Sequence, residues 1–318
     1  MIISRIYKGQ GFGNQLWCMV SAYALSLKKN YDCTFIDNTN SFLGYDIFDL
    51  SSDFFRNKAT VRYKYYEKCF FDNNLNCKLF FFDKDLIKIN KNTEIIGNFQ
   101  SENYFFDKKK QIKNYFQINK KIKKLSSQFY NYNVLNIRGG EYKRHHELLL
   151  PNSYWINLYN LLKRKSDLPI IIVSDDYHYS KNLFPNLDII SNDIKMCFAA
   201  IMGAKNIGVS NSSFSYFPIF FNENKKEIYG PYQWSRFNNN GNLWASPCNF
   251  YKNWKWIDIN GQIVSDKKCI ENIKFTSVYL KNNSKLSCFS LPKKELDILT
   301  YLKNIIKKLL GLFNWRYK

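Results

Sequence analysis

Strands and helices alternate in two separate parts of the chain, and this alternation is the strongest constraint on the fold. In the first part, the apolar residues 2–7 precede a glycine loop, a helical segment and the strand-like residues 31–36. One helix face would carry Leu16, Met19, Val20, Tyr23 and Leu27. The alternation returns from Val134 to about residue 221. We therefore predict an α/β fold with two doubly wound, Rossmann-like domains facing across a cleft.

The length of 318 residues exceeds what a single core usually covers, which also favours two domains. The hydrophobic content of 45% is enough to bury substantial cores and argues against a disordered chain. We expect domains at residues 1–130 and 131–262, followed by an extension at residues 263–318. Residues 41–91 are rich in Phe, Tyr and Asn, and no order of elements can be assigned there.

The chain is strongly basic, and the excess is concentrated near its end. The net charge is +21, which favours contact with polyanions such as nucleic acid, anionic lipid or phosphorylated small molecules. Residues 265–318 hold 12 Lys or Arg against 4 Asp or Glu. One helical face there would carry Leu299, Leu302, Ile306, Leu309, Leu310 and Phe313. Such a basic amphipathic helix either lies on anionic lipid or packs on the protein's own core.

The sequence also predicts a cellular compartment. The first residues form a strand and a loop instead of a signal peptide, and no apolar run reaches the roughly 18 residues that span a bilayer. The eight cysteines are scattered without C-x-x-C pairs, as expected for buried thiols in a reducing cytosol. Nucleic acid is not expected as a partner, because no stacking motif for single strands is present.

The glycine loop "KGQGFGNQLW" raises the question of which anion it holds. The dinucleotide fingerprint G-x-G-x-x-G fails, since Asn14 stands where the third glycine is required. The phosphate-loop pattern G-x-x-x-x-G-K-[ST] is absent from the sequence. Asp37 ends the next strand-like run, where a ribose-binding acid would lie. A nicotinamide oxidoreductase therefore stays open as an alternative.

Two later loops also follow strands. Arg138 comes directly after a strand, and Gly139 and Gly140 allow close backbone approach; such an arginine suits a bidentate phosphate contact or an ion pair within the loop. The segment "SNSSFSY" suits an anion site at a helix N-terminus or ordinary capping by serine. Asp175 and Asp176 end a buried strand and could bind a metal, contact an acceptor, act as a base or cap the next helix.

A metal site is not expected. The D-x-D pattern at Asp83 and Asp85 is too common to carry weight. His145, His146 and His178 lack the spacing of zinc ligands.

Together these loops resemble family 11 of the glycosyltransferases, the bacterial α-1,2-fucosyltransferases. "KGQGFGNQLW" resembles the family's G-G-x-G-N-Q-[ML] start, and "IIGNFQSENYFFD" its G-Y-[FW]-Q-S-E-x-Y-F segment. "NIRGGEY" takes the place of H-x-R-R-G-D-Y. "VSDD" and "DIKMCFAAIMGAKNIGVSNSSFSYF" are similar to its S-D-D and D-x-x-x-M…I-x-x-N-S-S-F-S-W-W block. The four elements occur in the same order and cover roughly residues 1–260.

The resemblance implies a GT-B architecture and an inverting, metal-independent transfer from a GDP-sugar, with no cofactor. Residues 1–130 would lie on the acceptor side and residues 131–262 would bind the nucleotide-sugar. Arg138 would hold the β-phosphate and act in catalysis with Glu141. The predicted substrate-binding residues are Gly11, Gly13, Asn14, Gln15, Asn136, Gly139, Asp175, Asp176, Asn211, Ser212, Ser213, Phe214 and Ser215. For the base, the motifs offer Glu141, Asp175 and Glu102 without deciding among them.

The expected reaction is α-1,2 transfer of fucose from GDP-fucose to a bacterial surface glycan such as O-antigen, lipooligosaccharide or capsule. A lipid-linked acceptor would suit a protein held peripherally on the cytoplasmic face of the inner membrane. The chain also departs from the motif: Asn136 replaces its histidine, Gly139 its second arginine and Glu141 its aspartate. Lys143 or Arg144 would have to replace the missing arginine, so a different nucleotide-sugar stays open.

Overall fold

The chain folds into alternating strands and helices, with antiparallel strands inserted in its first half. A computed structural model describes residues 1–72, 77–144, 148–233, 235–236, 243–244 and 248–290. Its strands are β1 (Ile2–Arg5), β2 (Cys33–Ile36), β3 (Tyr63–Tyr66), β4 (Lys68–Asp72), β5 (Cys77–Phe80), β6 (Thr93–Ile96), β7 (Asn133–Ile137), β8 (Ile170–Ser174), β9 (Ile189–Ser191), β10 (Asn206–Val209), β11 (Glu227–Pro231), β12 (Ser235–Arg236), β13 (Leu243–Trp244), β14 (Lys255–Ile257), β15 (Ile263–Val264) and β16 (Lys285–Cys288). Its α-helices are α1 (Phe12–Lys29), α2 (Lys109–Tyr115), α3 (Lys120–Ser127), α4 (Asn152–Lys165), α5 (Tyr177–Leu183), α6 (Ile194–Gly203), α7 (Ser213–Phe221) and α8 (Asp266–Asn283).

The first sheet is parallel and has the strand order β2-β1-β6-β3. Helix α1 connects β1 to β2 and is buried on all sides from Gln15 to Ala22, because it packs on α7 as well as on β1. Its burial is therefore broader than the single apolar face that the spacing of Leu16, Met19, Val20, Tyr23 and Leu27 predicts. Leu27 is the exception on that face, with 37% of its surface exposed. The helix ends at Asn30, which takes the left-handed conformation common at helix ends (φ 52°). Lys28 and Lys29 in the last turn interact favourably with the helix dipole.

The second sheet has the order β15-β14-β11-β10-β7-β8-β9. Its pairs are parallel except for β14 with β15. Strands β7, β8 and β10 are buried along their whole length, which explains their nearly continuous apolar sequences. The order reverses at β7: β8 and β9 lie on one side of it and β10 and β11 on the other. Open α/β sheets bind ligands at such a point, beyond the carboxyl ends of the strands.

A third, antiparallel sheet brings distant parts of the chain together. Its order is β16-β4-β5, so residues 285–288 pair with residues 68–71. Two segments are thereby placed beside the carboxyl edge of the first sheet: β4 follows β3 after one residue, and residues 289 and 290 follow β16.

One hydrophobic core joins the two parallel sheets. Its buried side chains come from both parts of the chain, including α1, α2, α6 and α7. The ring of Trp17 on α1 is fully buried and lies 4.4 Å from the ring of Tyr216 on α7. Helix α3 approaches α6 so closely that a Cβ on Gly203 would lie 2.0 Å from the carbonyl oxygen of Ser126. The two sheets are therefore linked by packed helices.

The α/β class with two parallel sheets, predicted from the alternation, is confirmed. The division at residue 130 stays a prediction; α3, which precedes it, packs on α6, which follows it. The extension forms β15, α8 and β16, whereas the amphipathic pattern at residues 299–313 lies outside the described residues. Of the seven cysteines whose surroundings the structure describes, five are buried thiols, as expected: Cys18, Cys69, Cys197, Cys248 and Cys269. Cys33 is half-buried and Cys288 is exposed. Among the helices that the structure describes, none is long and apolar enough to cross a membrane.

Candidate functional site

The carboxyl ends of strands from both parallel sheets line two adjoining cavities. The smaller cavity, of about 250 Å³, is lined by the loops after β7, β8 and β9 and by the first turns of α1 and α7. The larger cavity, of about 790 Å³, is lined by the loops after β1, β3, β6, β7 and β10 and by residues 289–290. Four residues line both: Gly11, Arg138, Ser212 and Ser213. These four therefore mark the junction between the cavities.

The glycine loop positions the first turn of α1 at this junction. Gly11 is the N-cap residue of α1 and has no side chain to cap the helix. Gly13 allows α1 to approach α7, because a Cβ at Gly13 would lie 2.4 Å from the carbonyl carbon of Ser213. The partly positive N-terminal ends of two helices consequently meet beside the cavities, an arrangement that favours a bound anion.

Arg138 is held in place at the junction by two carboxylates and an aromatic ring. Its Nη1 lies 2.9 Å from Asp175 Oδ2, and its Nη2 lies 2.8 Å from Glu141 Oε1. The guanidinium carbon lies 5.3 Å from the centre of the Tyr142 ring. The side chain keeps 28% of its surface exposed. Its Nε is buried without a hydrogen-bond partner among the described residues. The guanidinium is thus oriented and still accessible from both cavities.

Asp175 positions Arg138 and its loop. Its Oδ1 accepts a hydrogen bond from the backbone N–H of Gly139 at 2.9 Å, while its Oδ2 pairs with Arg138. A Cβ at Gly140 would lie 2.1 Å from Asp175 Oδ2, so the glycine is needed for this close approach. Glu141, with 64% of its side chain exposed, lines the larger cavity and supports Arg138 from the other side.

Asp176 stabilises the elements after β8 and does not line either cavity. It caps α5 by accepting a hydrogen bond from the N–H of Tyr179 at 3.0 Å, and it pairs with Lys143. Burial works against its charged form, but the contacts with Lys143 and Tyr179 prevail and lower its pKa. Lys143, which the sequence offered as a substitute for the missing arginine, is therefore engaged.

Two of the three departures from the motif, those at positions 136 and 139, have structural counterparts. The amide of Asn136 donates to the carbonyl of Val173 at 3.1 Å and accepts from the Ser215 hydroxyl at 2.5 Å, so it ties β7 to β8 and α7. It still lines the smaller cavity. A Cβ at Gly139 would lie 2.7 Å from the ring of Tyr179. This backbone therefore leaves no room for a second arginine at position 139.

Asn14 and Gln15, both predicted to bind substrate, have different roles: Asn14 lines a cavity, and Gln15 stabilises the loop. Asn14 lines the larger cavity and accepts a hydrogen bond from Gln100 Nε2 at 2.7 Å. Gln15 is buried, donates to the carbonyls of Gln10 and Ser41, and accepts from the N–H of Leu43. Gln15 thus fixes the loop conformation.

The predicted residues of the "SNSSFS" segment lie at the start of α7. Ser212 caps α7 through the N–H of Phe214, and Phe214 lines the smaller cavity. Asn211 lines the larger cavity and donates to the carbonyl of Leu148 at 2.8 Å. Ser215 is buried against Asn136. Capping and cavity lining therefore occur together in this segment.

Asp37, the acid that kept the nicotinamide alternative open, is used within its own loop. Its oxygens accept hydrogen bonds from the N–H groups of Ser41 (2.9 Å) and Phe42 (2.8 Å) and from the hydroxyl of Tyr45 (3.1 Å). A ribose would have to displace these contacts.

The other groups that sequence analysis set aside have local roles. Asp83 caps the short 3-10 helix Lys84–Lys88, and Asp85 pairs with Lys68 and Lys88. His178 is exposed, while His145 and His146 lie outside the described residues. Among the residues that the structure places, no three His, Cys, Asp or Glu side chains gather as metal ligands.

Glu102 is a structural acid. Its Oε2 accepts from the Tyr216 hydroxyl at 3.1 Å and its Oε1 from the N–H of Lys252 at 2.6 Å. Burial raises its pKa. Both oxygens thus link the first half of the chain to α7 and to the loop before β14.

Glu67 is a buried carboxylate in the wall of the larger cavity that was not predicted from the sequence. It follows β3 directly and is the only acidic residue between Asp53 and Asp72. That isolation within an aromatic stretch was the available signal. The surrounding sequence gave no basis for assigning a strand whose carboxyl end would position it.

Known proteins resemble this chain in structure and not in sequence. No family model matches the chain, and no curated protein matches its sequence. Among solved structures, the chain is similar to fucosyltransferase NodZ from Bradyrhizobium, with 11% identity and a TM-score of 0.42 over 71% of this chain and 94% of that chain. The chain is also similar to POFUT1 in complex with GDP-fucose, with 10% identity and a TM-score of 0.41 over 72% of this chain and 97% of that chain. A third similar structure is a mutant of Arabidopsis thaliana FUT1 in complex with GDP, with 11% identity and a TM-score of 0.45 over 83% of this chain and 79% of that chain. Because these TM-scores lie below 0.5, we base the function on this chain's own residues.

Proposed function

We propose that the protein is a glycosyltransferase of the GT-B type that moves a sugar from a nucleoside diphosphate to an acceptor hydroxyl. The observation that carries this proposal is the position of Arg138 between two cavities, beside the N-termini of α1 and α7. As the bond to the sugar breaks, negative charge develops on the β-phosphate of the departing nucleoside diphosphate. Arg138, held by Asp175 and Glu141, keeps a second N–H on each Nη for a phosphate oxygen, and two helix N-termini add positive potential where that charge forms.

The smaller cavity suits the nucleotide of the donor. Its wall includes apolar side chains such as Phe214 and Ile194, which can pack against a base. Asp193 also lines it; its Oδ1 caps α6 by accepting from the N–H groups of Lys195 and Met196, and its Oδ2 can accept a hydrogen bond from an N–H donor of guanine. This chemistry supports GDP as the leaving group. The larger cavity, across the junction, has the volume for an oligosaccharide acceptor.

The reaction would proceed with inversion. An acceptor hydroxyl in the larger cavity attacks the anomeric carbon while the bond from that carbon to the phosphate oxygen breaks on the opposite face. Arg138 and the helix N-termini stabilise the departing GDP, a role that a metal ion plays in other transferases. Removing one such preorganised group typically costs about a hundredfold in rate.

The motif resemblance supports fucose as the sugar and an α-1,2 linkage to a bacterial surface glycan as the product. The absence of a side chain at Gly139 keeps another nucleotide-sugar as the alternative donor. The basic sequence after residue 265 supports a peripheral location on the cytoplasmic face of the inner membrane, near a lipid-linked acceptor. The oxidoreductase alternative is not supported, since Asp37 is engaged.

Thermal unfolding with a panel of ligands tests the proposal: GDP, UDP, CMP, dTDP, NAD and the sugar conjugates of the nucleotides. We expect GDP and GDP-fucose to raise the Tm of the wild type, since a ligand at 100 times its Kd stabilises by about 2.7 kcal/mol. Arg138→Ala should lose this shift and reduce transfer about a hundredfold while keeping its own unfolding transition.

Arg164→Ala is the matched control, because Arg164 is exposed on α4. It removes the same charge and should keep the GDP shift. A shift with UDP alone would keep the transferase and exclude GDP-fucose. A shift with NAD alone, or with none of the ligands, would contradict the proposal.

A further inference from the structure

Glu67 lies where the first sheet meets the larger cavity. Its backbone N–H donates to the carbonyl of Ile96 at 2.8 Å, and its carbonyl accepts from the N–H of Phe289 at 2.7 Å. These two bonds hold the residue between β6 and the segment after β16. Its side chain is fully buried and forms part of the cavity wall. The backbone thus fixes a carboxylate at the carboxyl edge of the parallel sheet, opposite the second domain.

The two carboxylate oxygens of Glu67 differ in their partners. Oε2 accepts a hydrogen bond from the N–H of Asn98 at 2.6 Å. Oε1 is buried and has no hydrogen-bond partner among the residues that the structure describes. The chain makes room for this arrangement with Gly97, where a Cβ would lie 2.4 Å from the Cβ of Glu67. A ligand with a hydroxyl donor in the larger cavity could supply the missing partner of Oε1.

The surroundings adjust the proton affinity of this carboxyl group. Burial raises the pKa of Glu67 to about 7, although the N–H groups of Phe99 and Asn98 favour the charged form. The Asp83 carboxylate acts in the same direction as burial. Among the described residues, the thiols of Cys18 and Cys248 and the hydroxyl of Tyr104 also interact electrostatically with Glu67. A general base works best with a pKa near the operating pH.

We infer that Glu67 is the catalytic base that takes the proton from the acceptor hydroxyl. The inference rests on the proposed transferase function. The hydroxyl oxygen forms its bond to the anomeric carbon, and the bond from that carbon to the phosphate oxygen breaks with its electron pair on GDP. The hydroxyl proton passes to Oε1 of Glu67, and the carboxylate becomes a neutral acid that later returns the proton to solvent.

The other acids near the cavities are less suited to this role. Asp175 uses one oxygen for the N–H of Gly139 and the other for Arg138. Glu141 pairs with the same guanidinium and is mostly exposed. Both oxygens of Glu102 accept hydrogen bonds within the protein. Glu67 combines a place in the cavity wall with an oxygen that no described group contacts through a hydrogen bond.

The pH dependence of transfer tests the inference. GDP release from GDP-fucose is measured between pH 5 and 9 with methyl β-galactoside, lactose or N-acetyllactosamine as acceptor, and with water alone. The wild-type rate should fall with decreasing pH below about 7. Glu67→Gln should lower kcat at least a hundredfold and remove this acid limb, with GDP binding unchanged. Glu67→Asp, which keeps a carboxylate, should retain an acid limb at reduced kcat.

Glu94→Gln is the matched control. Glu94 is a buried acid on β6 of the same sheet, paired with Arg5 at 2.8 Å, and its substitution should leave the acid limb in place. The inference is overturned if Glu67→Gln keeps kcat within a few fold and the same acid limb, whatever its Tm. A folded wild type that releases GDP from no GDP-sugar and binds no GDP would instead overturn the transferase function and the inference with it.

Discussion

The three glycines of the first loop occupy alternate positions, and each has a different use. Gly9 has a φ of +83°, a conformation that costs other residues about 1 kcal/mol or more. Gly11 caps α1 beside open space, since a Cβ at this position would have no atom within 4 Å. Gly13 brings the backbone of α1 against that of α7 at Ser213. The spacing that excludes a dinucleotide fingerprint is therefore explained by helix packing.

This difference predicts unequal losses of stability for two alanine substitutions. Gly13→Ala places a Cβ 2.4 Å from the backbone of Ser213, which cannot move without displacing α7, so we expect a loss of about 1–3 kcal/mol or more in the free energy of unfolding. Gly11→Ala should cost about 1 kcal/mol or less, from the poorer N-cap alone. Urea unfolding of both variants measures this. Equal losses would contradict the packing role of Gly13.

At the same scale, the sequence was most informative where a polar residue directly follows a clear strand. Arg138 was identifiable because the mostly apolar strand "NVLNI" precedes it and two glycines follow. Glu67 was not, because β3 reads "YKYY", and all four of its residues are exposed or half-buried. The structural duties of Asp176 and Gln15 depend on tertiary partners that a single sequence does not reveal.

Among the elements, helix α7 depends on the residue that ends it. Asn222 is fully buried and donates to the carbonyls of Ile201 (3.1 Å) and Ala204 (2.8 Å) at the end of α6. Its side-chain oxygen accepts from the N–H groups of Asn224 and Lys225. One amide therefore joins the C-terminal ends of α6 and α7, two helices that border the smaller cavity together with α1.

Asn222→Ala should lower the free energy of unfolding by about 2–4 kcal/mol, because four backbone groups lose a buried partner. Asn160 is exposed on α4 and provides the control; Asn160→Ala should stay within about 0.5 kcal/mol of the wild type. Chemical unfolding followed by tryptophan fluorescence compares the two. A loss below about 1 kcal/mol in Asn222→Ala would show that these bonds are replaced by water.

Elements with local sequence signals were predictable, and elements made by distant pairing were not. The apolar pattern after residue 150 predicts α4 almost to its ends, and the run before Asp175 predicts β8. The antiparallel sheet of β4, β5 and β16 was not predicted, since residues 68–71 pair with residues 285–288 across more than two hundred positions. Nothing local in either segment specifies that partner.

At the scale of the whole molecule, the two parallel sheets share one core. Buried side chains run continuously from α1 through α7 and α6 to the second sheet. We therefore expect the described residues to unfold as one unit, so that protonation of a single buried group changes the free energy of unfolding of the whole unit. The sequence predicted two domains and a cleft, but this shared core follows from helix contacts that only the folded chain shows.

The pH dependence of stability follows from Glu67. Its pKa in the folded protein, about 7, lies above its ordinary value of 4.5, so the folded state binds the proton more tightly than the unfolded chain. The resulting stabilisation is fully present below about pH 4.5 and is lost as the pH rises through 7. The difference corresponds to about 3 kcal/mol.

Glu67→Gln stays neutral and should be more stable than the wild type at about pH 8, with this advantage vanishing toward about pH 5. Denaturant unfolding at both pH values measures it, with Glu94→Gln retaining the wild-type slope. Parallel pH profiles for wild type and Glu67→Gln would mean that the carboxylate gains a compensating partner in the fold.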